Sequence, residues 1–318
     1  MDHRATHRNR KLLAPLAFAC VYFFWGSSFI AIRYGTQLLH PAFVAGIRYL
    51  IAGLVLFGFL LARGHSVRMT RRDLLRVAGL GVLMFTCNTI LLSYGGRILP
   101  AGLTALIIST IPLFIGLLET SIPGGARLSL WGWAGTITGF LGLTILLRHS
   151  FHAGPLTRTT GLAAAALITA AFAWALGSVL IRRTRFTASS FVTTCWQMLI
   201  GGTIDVLIGV GDGGLGSSQW TSGAWLAVLY LGVFGTLVGY TSYAYLLRNV
   251  AVTSVATYAY INPIVAVLLG WMLLGEHLVP GQWLGMSIVL ASVAIVAMVQ
   301  TSPRSARAAE PELSEAAA

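Results

Sequence analysis

The chain has 318 residues, 56% of them apolar and 9% charged, with a formal net charge of +12 and a mean hydropathy of +0.80. A soluble protein carries about 25% charged residues, so these few cannot clothe a water-exposed globule, and lipid must be the solvent. The positive balance does not mark a nucleic-acid binder, because the basic residues sit in short loops between apolar runs and form no basic face or base-stacking platform.

The basic segment 1–12 leads into an apolar run too long for a signal-peptide core and followed by no small-residue cleavage site, so it is read as a retained first span. A helix needs about 20 apolar residues to cross the hydrocarbon. Ten segments qualify: 13–32, 41–62, 74–93, 101–122, 129–147, 161–181, 190–210, 224–247, 251–274 and 281–300. Strand-like alternation is absent, which excludes a β-barrel. The predicted fold is an all-α polytopic membrane protein of ten transmembrane helices. The tail 301–318, rich in Ala, Pro, Ser and Glu, is expected to be disordered. Cys20, Cys87 and Cys195 lie inside apolar segments with no CxxC pair or Cys/His cluster, so neither disulfides nor a metal site is implied, and no cofactor is expected.

Basic residues orient the spans. With the N-terminus inside, sixteen Lys and Arg fall on the inner side, whereas Arg33, Arg97, Arg148 and Arg158 fall outside and Arg48 lies within a span. Both termini are therefore expected in the cytoplasm, with the protein in a bacterial inner membrane.

The chain repeats itself at a spacing of about 150 residues. Window 80–119 aligns without a gap to 231–270, pairing Tyr94 with Tyr245, Arg97 with Arg248 and Pro112 with Pro263. Nearby offsets pair Trp25 with Trp174, Arg33 with Arg182, and Trp133 with Trp283. Apolar composition alone would not place Trp, Tyr, Arg and Pro in register. Each half holds five spans, an odd number, so the halves are inverted: 13–148 forms repeat one, 149–160 an external linker and 161–300 repeat two. Inverted repeats are common in secondary transporters.

Trp25-Gly-Ser-Ser-Phe29, Tyr258-Ala-Tyr-Ile-Asn-Pro-Ile-Val265 and Leu274-Gly-Glu-His-Leu278 resemble the EamA family of the drug/metabolite transporter superfamily. The resemblance spans both repeats. It implies ten helices, a central cavity between the halves, and export of amino acids or related metabolites. The Gly-Glu pair expected after the fourth span is absent, and Pro123-Gly-Gly-Ala-Arg127 stands there instead. Glu276 is thus read as a structural acid that caps a loop.

Ionisable side chains in a membrane are costly, about 2.5–3.5 kcal/mol at a helix centre, and three stand out. Arg48 either faces the cavity to bind a substrate carboxylate or snorkels to the headgroups. Glu119 and Asp205 are the candidate proton carriers, with solvated helix-end acids as the alternative; Asp205 is also a candidate partner for Arg48. Substrate contacts are expected from Trp25, Ser28, Arg48, Asn88, Trp174, Trp196, Gln197, Tyr240, Tyr258 and Asn262, a set rich in aromatics with few polar anchors. Pro112 and Pro263 are expected to kink their helices.

These readings predict a secondary transporter, moving a small organic metabolite by alternating access. A multidrug or xenobiotic exporter is the alternative within the class. An intramembrane enzyme and a channel are the alternatives outside it: no buried His or acid-rich metal motif, no Walker motif and no filter segment is present. The implied partners are a small-molecule substrate and the bilayer, with a homodimer left open.

Overall fold

The computed structural model describes residues 13–123, 129–152, 158–249, 255, 257–277 and 280–300. The basic segment 1–12 and the tail 301–318 lie outside them. The described chain is helical, in ten long elements joined by short loops. They are α1 (Leu13–Leu38), α2 (Pro41–Ala62), α3 (Arg71–Ile98), α4 (Ala101–Ser121), α5 (Leu130–His152), α6 (Arg158–Arg183), α7 (Ser190–Gly211), α8 (Ser222–Tyr230 continuing through Leu231–Val238 and Gly239–Asn249), α9 (Tyr258–Leu274) and α10 (Pro280–Gln300). Seven helices are long and apolar enough to cross a membrane, and shorter apolar stretches, Leu130–Ile145, Ile261–Leu274 and Pro280–Val296, supply the other three.

Several helix starts carry their own stop signals for the preceding loop. The hydroxyls of Thr70, Ser189 and Thr221 accept from the backbone N–H of Asp73, Val192 and Ala224, satisfying donors that have no partner inside the helix. Pro41 occupies the first turn of α2, where its missing N–H costs nothing. The helices outrun the apolar segments read from sequence. α3 has 28 residues, about 42 Å at 1.5 Å per residue, against about 30 Å of hydrocarbon. Its basic first turn and the end bearing Arg97 therefore project past the apolar layer, where polar residues extend a helix without entering lipid. α5 likewise runs into the expected external linker, as far as His152.

The two repeats meet through their mates. α2 packs along α7 and α5 along α10. The first contact is a backbone-to-backbone approach. A Cβ on Gly46 would stand 2.7 Å from the Gly202 carbonyl, and one on Gly202 would stand 2.9 Å from the Gly46 carbonyl. In lipid, where no hydrophobic force pulls helices together, such close approach is what provides packing energy. The small residues of α5 act alike: Gly142 meets Ile288 and Gly135 meets Val296.

Three helices contain π-helical segments: Val21–Trp25 in α1, Val82–Cys87 in α3 and Leu231–Val238 in α8. The last two overlap at the repeat offset of 151, so this distortion is duplicated along with the scaffold. α4 is broken instead. Its regular part stops at Ile108, Ser109 and Thr110 form a turn, and Pro112 sits in the first turn of the segment that resumes at Ile111. Pro263 lies within α9, five residues after its start. π-bulges and proline breaks both disturb the regular backbone hydrogen bonding, and both gather at functional sites.

Candidate functional site

A cavity of about 150 Å³ lies between the two repeats, room for roughly five waters or one small organic molecule. Seven helices contribute to its wall. α1 supplies Trp25 and Ser28, α2 supplies Arg48 and Tyr49, and α3 supplies Asn88. α4 adds Ile108 and Ile111 on either side of its break, and α6 adds Trp174. Thr236 and Tyr240 come from α8, Tyr258 and Asn262 from α9. Three of these helices carry their irregular segment at the cavity: Trp25 ends the first π-helical segment, Asn88 follows the second and Thr236 lies within the third.

Trp25 is held in place by its neighbours. Its indole N–H donates to the Gly235 carbonyl at 3.0 Å, and its ring meets Tyr258 edge-on with centroids 5.1 Å apart and Tyr240 at 5.8 Å. Gly239 is required here, since a Cβ on it would stand 2.2 Å from the Trp25 indole nitrogen. Asn88 is fixed by donating its amide to the Ala170 carbonyl of α6 at 2.8 Å. The aromatic wall is therefore rigid, which limits the entropy lost on gripping a ligand.

Arg48 is the cation of this wall. It is buried, 8% exposed, so it does not snorkel to the headgroups. Its guanidinium lies over the Tyr49 ring at 4.5 Å, and Nη2 donates to the Tyr49 hydroxyl at 2.8 Å, which in turn contacts Thr89 Oγ1 at 3.1 Å. Its Nε has no protein partner, and among the described residues no carboxylate lies within 4.0 Å of it. The Tyr240 hydroxyl and Asn262 Oδ1 are also buried without partners. A buried polar group left unpaired costs about 1–3 kcal/mol, so these atoms are aimed at something the wall itself does not supply.

Eight of the ten residues expected to contact a substrate line this cavity: Trp25, Ser28, Arg48, Asn88, Trp174, Tyr240, Tyr258 and Asn262. The structure places the other two elsewhere. Trp196 sits in a separate apolar cluster with Phe57, its indole donating to the Val67 carbonyl at 2.9 Å. Gln197, 2% exposed, is wedged against Gly81 of α3. Their position beside a cluster of polar and aromatic residues in sequence says nothing of which side of α7 they occupy, and neither lines the cavity.

Asp205 and its expected partner Arg48 lie within electrostatic reach of each other but do not meet within 4.0 Å. Asp205 is fully buried, but its Cβ presses on the site where Gly46 lacks a side chain, and both its oxygens are without a hydrogen-bond partner. Glu119 is engaged at a helix end, bound by Arg182 at 2.8 Å and Arg183 at 2.9 Å. Glu276 is a capping acid, though not for its own helix. It accepts from the backbone N–H of Ala101 at 2.8 Å and Gly102 at 3.4 Å, at the N-terminus of α4, where the helix dipole favours a negative charge.

Tyr49, Thr236, Ile108 and Ile111 were not expected in the wall. Tyr49 had a usable signal, adjacency to the one arginine within a span. The α4 break was signalled by Pro112. The π-helical segments that turn α3 and α8 carry no proline, and nothing in their composition marks the added residue per turn.

Ten apolar helices in two inverted repeats, enclosing a mostly apolar cavity with a few polar groups at the repeat interface beside interrupted helices, define a polytopic membrane transporter. The chain belongs to the EamA-like transporter family, which matches residues 12–148 and 161–298, one copy per repeat. Its relatives include an uncharacterized inner membrane transporter, YedA, of Escherichia coli K12, 32% identical with 92% of this chain and 93% of the relative covered. An uncharacterized transporter of Bacillus subtilis, YvbV, is 26% identical over 97% and 98% of the two chains. A solved structure titled "Crystal structure of protein" superposes with a TM-score of 0.63 at 18% identity, over 89% of this chain and 96% of that one, and so shares the fold.

Proposed function

We propose that the protein is a secondary transporter that carries a small, partly apolar organic carboxylate, such as an amino acid or a related metabolite, out of the cell through the central cavity. One observation carries this reading. Arg48 is a buried cation in the cavity wall with an unpartnered Nε, and among the described residues it forms no ion pair within 4.0 Å. Arginine presents a planar fork that matches a carboxylate, and such charge-assisted hydrogen bonds are the strong ones. The aromatic rings around it suit an apolar body, and the unpaired Asn262 Oδ1 and Tyr240 hydroxyl can accept from an amine or hydroxyl. A wall with a cation and no acid disfavours the cationic drugs that a multidrug exporter would handle.

The orientation proposed is an inner-membrane protein with both termini in the cytoplasm, supported by the bias of basic residues. The face bearing Arg33 is then external and the face bearing Glu119 cytoplasmic. Asp205 is proposed as the coupling proton's carrier rather than Glu119, because two arginines hold Glu119 while Asp205, among the described residues, forms no ion pair within 4.0 Å. Arg48 of α2 and Thr86 of α3 are the groups within electrostatic reach of Asp205. The test is flux from proteoliposomes of the purified chain loaded with a mixed amino-acid and organic-acid pool. Export of carboxylate-bearing species, lost in Arg48→Gln, is the expected result. Equal export of amine-only analogues would overturn the reading.

A further inference from the structure

The self-alignment ends on Glu119 opposite Gly270, so the acid of repeat one has no counterpart in sequence. In space it has one. The loop after α9 folds back, the Glu276 backbone N–H donating to the Gly270 carbonyl at 3.1 Å. The Glu276 carboxylate then stands 2.6 Å from where a Cβ on Gly270 would be. A glutamate from the loop thereby occupies the place that a side chain at position 270 would fill, the mate of Glu119.

The partners match as well. Glu276 faces Arg33 Nε at 3.7 Å, and Glu119 holds Arg182 at 2.8 Å; Arg33 and Arg182 are repeat mates at an offset of 149. Each arginine site also grips a neighbouring carbonyl: Arg33 donates to Arg97 O at 2.6 Å, and Arg183 donates to Pro123 O at 2.8 Å. The first pair joins α1 of repeat one to the end of α9 of repeat two. The second joins α6 of repeat two to the end of α4 of repeat one. Each therefore ties one half to the other, at opposite faces of the bundle, and the cavity lies between them. α1, α4, α6 and α9 all contribute to the cavity wall, so parting either pair separates helices that close it on one side.

We propose that Arg33–Glu276 and Arg182/Arg183–Glu119 are the two gate latches of the transport cycle, one per face, built at equivalent positions by different routes. Opening toward one face requires breaking its latch while the other holds. Because the latches are equivalent, removing one biases the resting equilibrium toward opening on that face, and removing both restores the balance.

The test is read without substrate and so stands independently of what the cavity carries. Cys20, Cys87 and Cys195 are replaced by alanine, a single reporter is introduced as Ile111→Cys in the cavity wall, and a membrane-impermeant maleimide is applied to spheroplasts and to inverted membrane vesicles. Gln219→Cys, on the Arg33 face, identifies which preparation presents that face. Glu276→Gln is expected to raise reporter labelling from the Arg33 face and lower it from the Glu119 face by about two- to fivefold, the worth of a partly exposed ion pair. Glu119→Gln is expected to do the reverse, and the double variant to return toward the parent. Arg33→Gln and Arg182→Gln/Arg183→Gln repeat the test from the other side of each pair, should a glutamate variant not reach the membrane. Shifts in the same direction for both latches, or no shift for either, would overturn the proposal.

Discussion

The guanidinium of Arg48 lies over the ring of the tyrosine next to it in the chain, 4.5 Å from the centroid, and donates to that same Tyr49 hydroxyl. Consecutive residues of a helix ordinarily point about 100° apart, so this contact bends the arginine across its own helix surface and holds the charge at the cavity wall. The arrangement leaves Nε free and satisfies only part of the fork.

Arg48→Gln is expected to reduce export of a carboxylate substrate by about ten- to a hundredfold, the loss of one charge-assisted hydrogen bond of about 1.5–3 kcal/mol. Arg48→Lys should recover part of it, since the charge returns without the fork. Initial efflux rates from proteoliposomes check both. Wild-type rates in Arg48→Gln would remove the arginine from substrate recognition.

Asp205→Asn exchanges a buried carboxyl for an amide of nearly the same volume. If Asp205 carries the coupling proton, this variant loses the pH dependence of efflux, whereas Glu119→Gln keeps it. Efflux measured across a series of imposed pH gradients separates the two; a pH dependence that survives in Asp205→Asn assigns coupling elsewhere.

Gly202→Leu forces a side chain into a space where even a Cβ would stand 2.9 Å from the Gly46 carbonyl. Overpacking of this kind costs about 1–3 kcal/mol, and parting α2 from α7 should lower the detergent thermal midpoint by several degrees. Gly58→Ala, with nothing within 4 Å of its added carbon, is the control expected to leave it unchanged.

Trp196→Phe is expected to transport normally, because Trp196 is outside the cavity wall, while losing about 1 kcal/mol with its bond to Val67 O. Trp25→Phe should instead lower transport, since the indole N–H that positions its ring against Gly235 is gone. Parallel flux and melting measurements on the two variants tell a wall residue from a packing one.

A reporter fused after Ala318 that is active only in the periplasm should be silent. Activity there would reverse the assignment of the two faces.

Much of the architecture was legible before any fold was drawn. Hydrophobic length predicts a span because lipid offers backbone groups no partner, and this requirement acts locally on each segment. The repeat was legible because Trp, Tyr, Arg and Pro are rare enough to be matched in register. The cavity wall was legible in part, since polar and aromatic residues within spans are costly unless they face one another. Trp196 and Gln197 meet the same description and face elsewhere, because the side of a helix that turns inward depends on its rotation against its neighbours.

The chain alone determined that it spans the bilayer as ten helices in two inverted halves, through composition, apolar length and internal repetition, which are properties of segments. Only the tertiary structure decided which charges meet. It set Arg48 against Tyr49 rather than Asp205, because Asp205 presses against Gly46 on α2. It also supplied Glu119 with a counterpart that alignment lacks, since a loop can carry a carboxylate six residues back along its helix, into a place that register assigns to a glycine. Such pairings are set by distance across the folded chain, which no local pattern encodes.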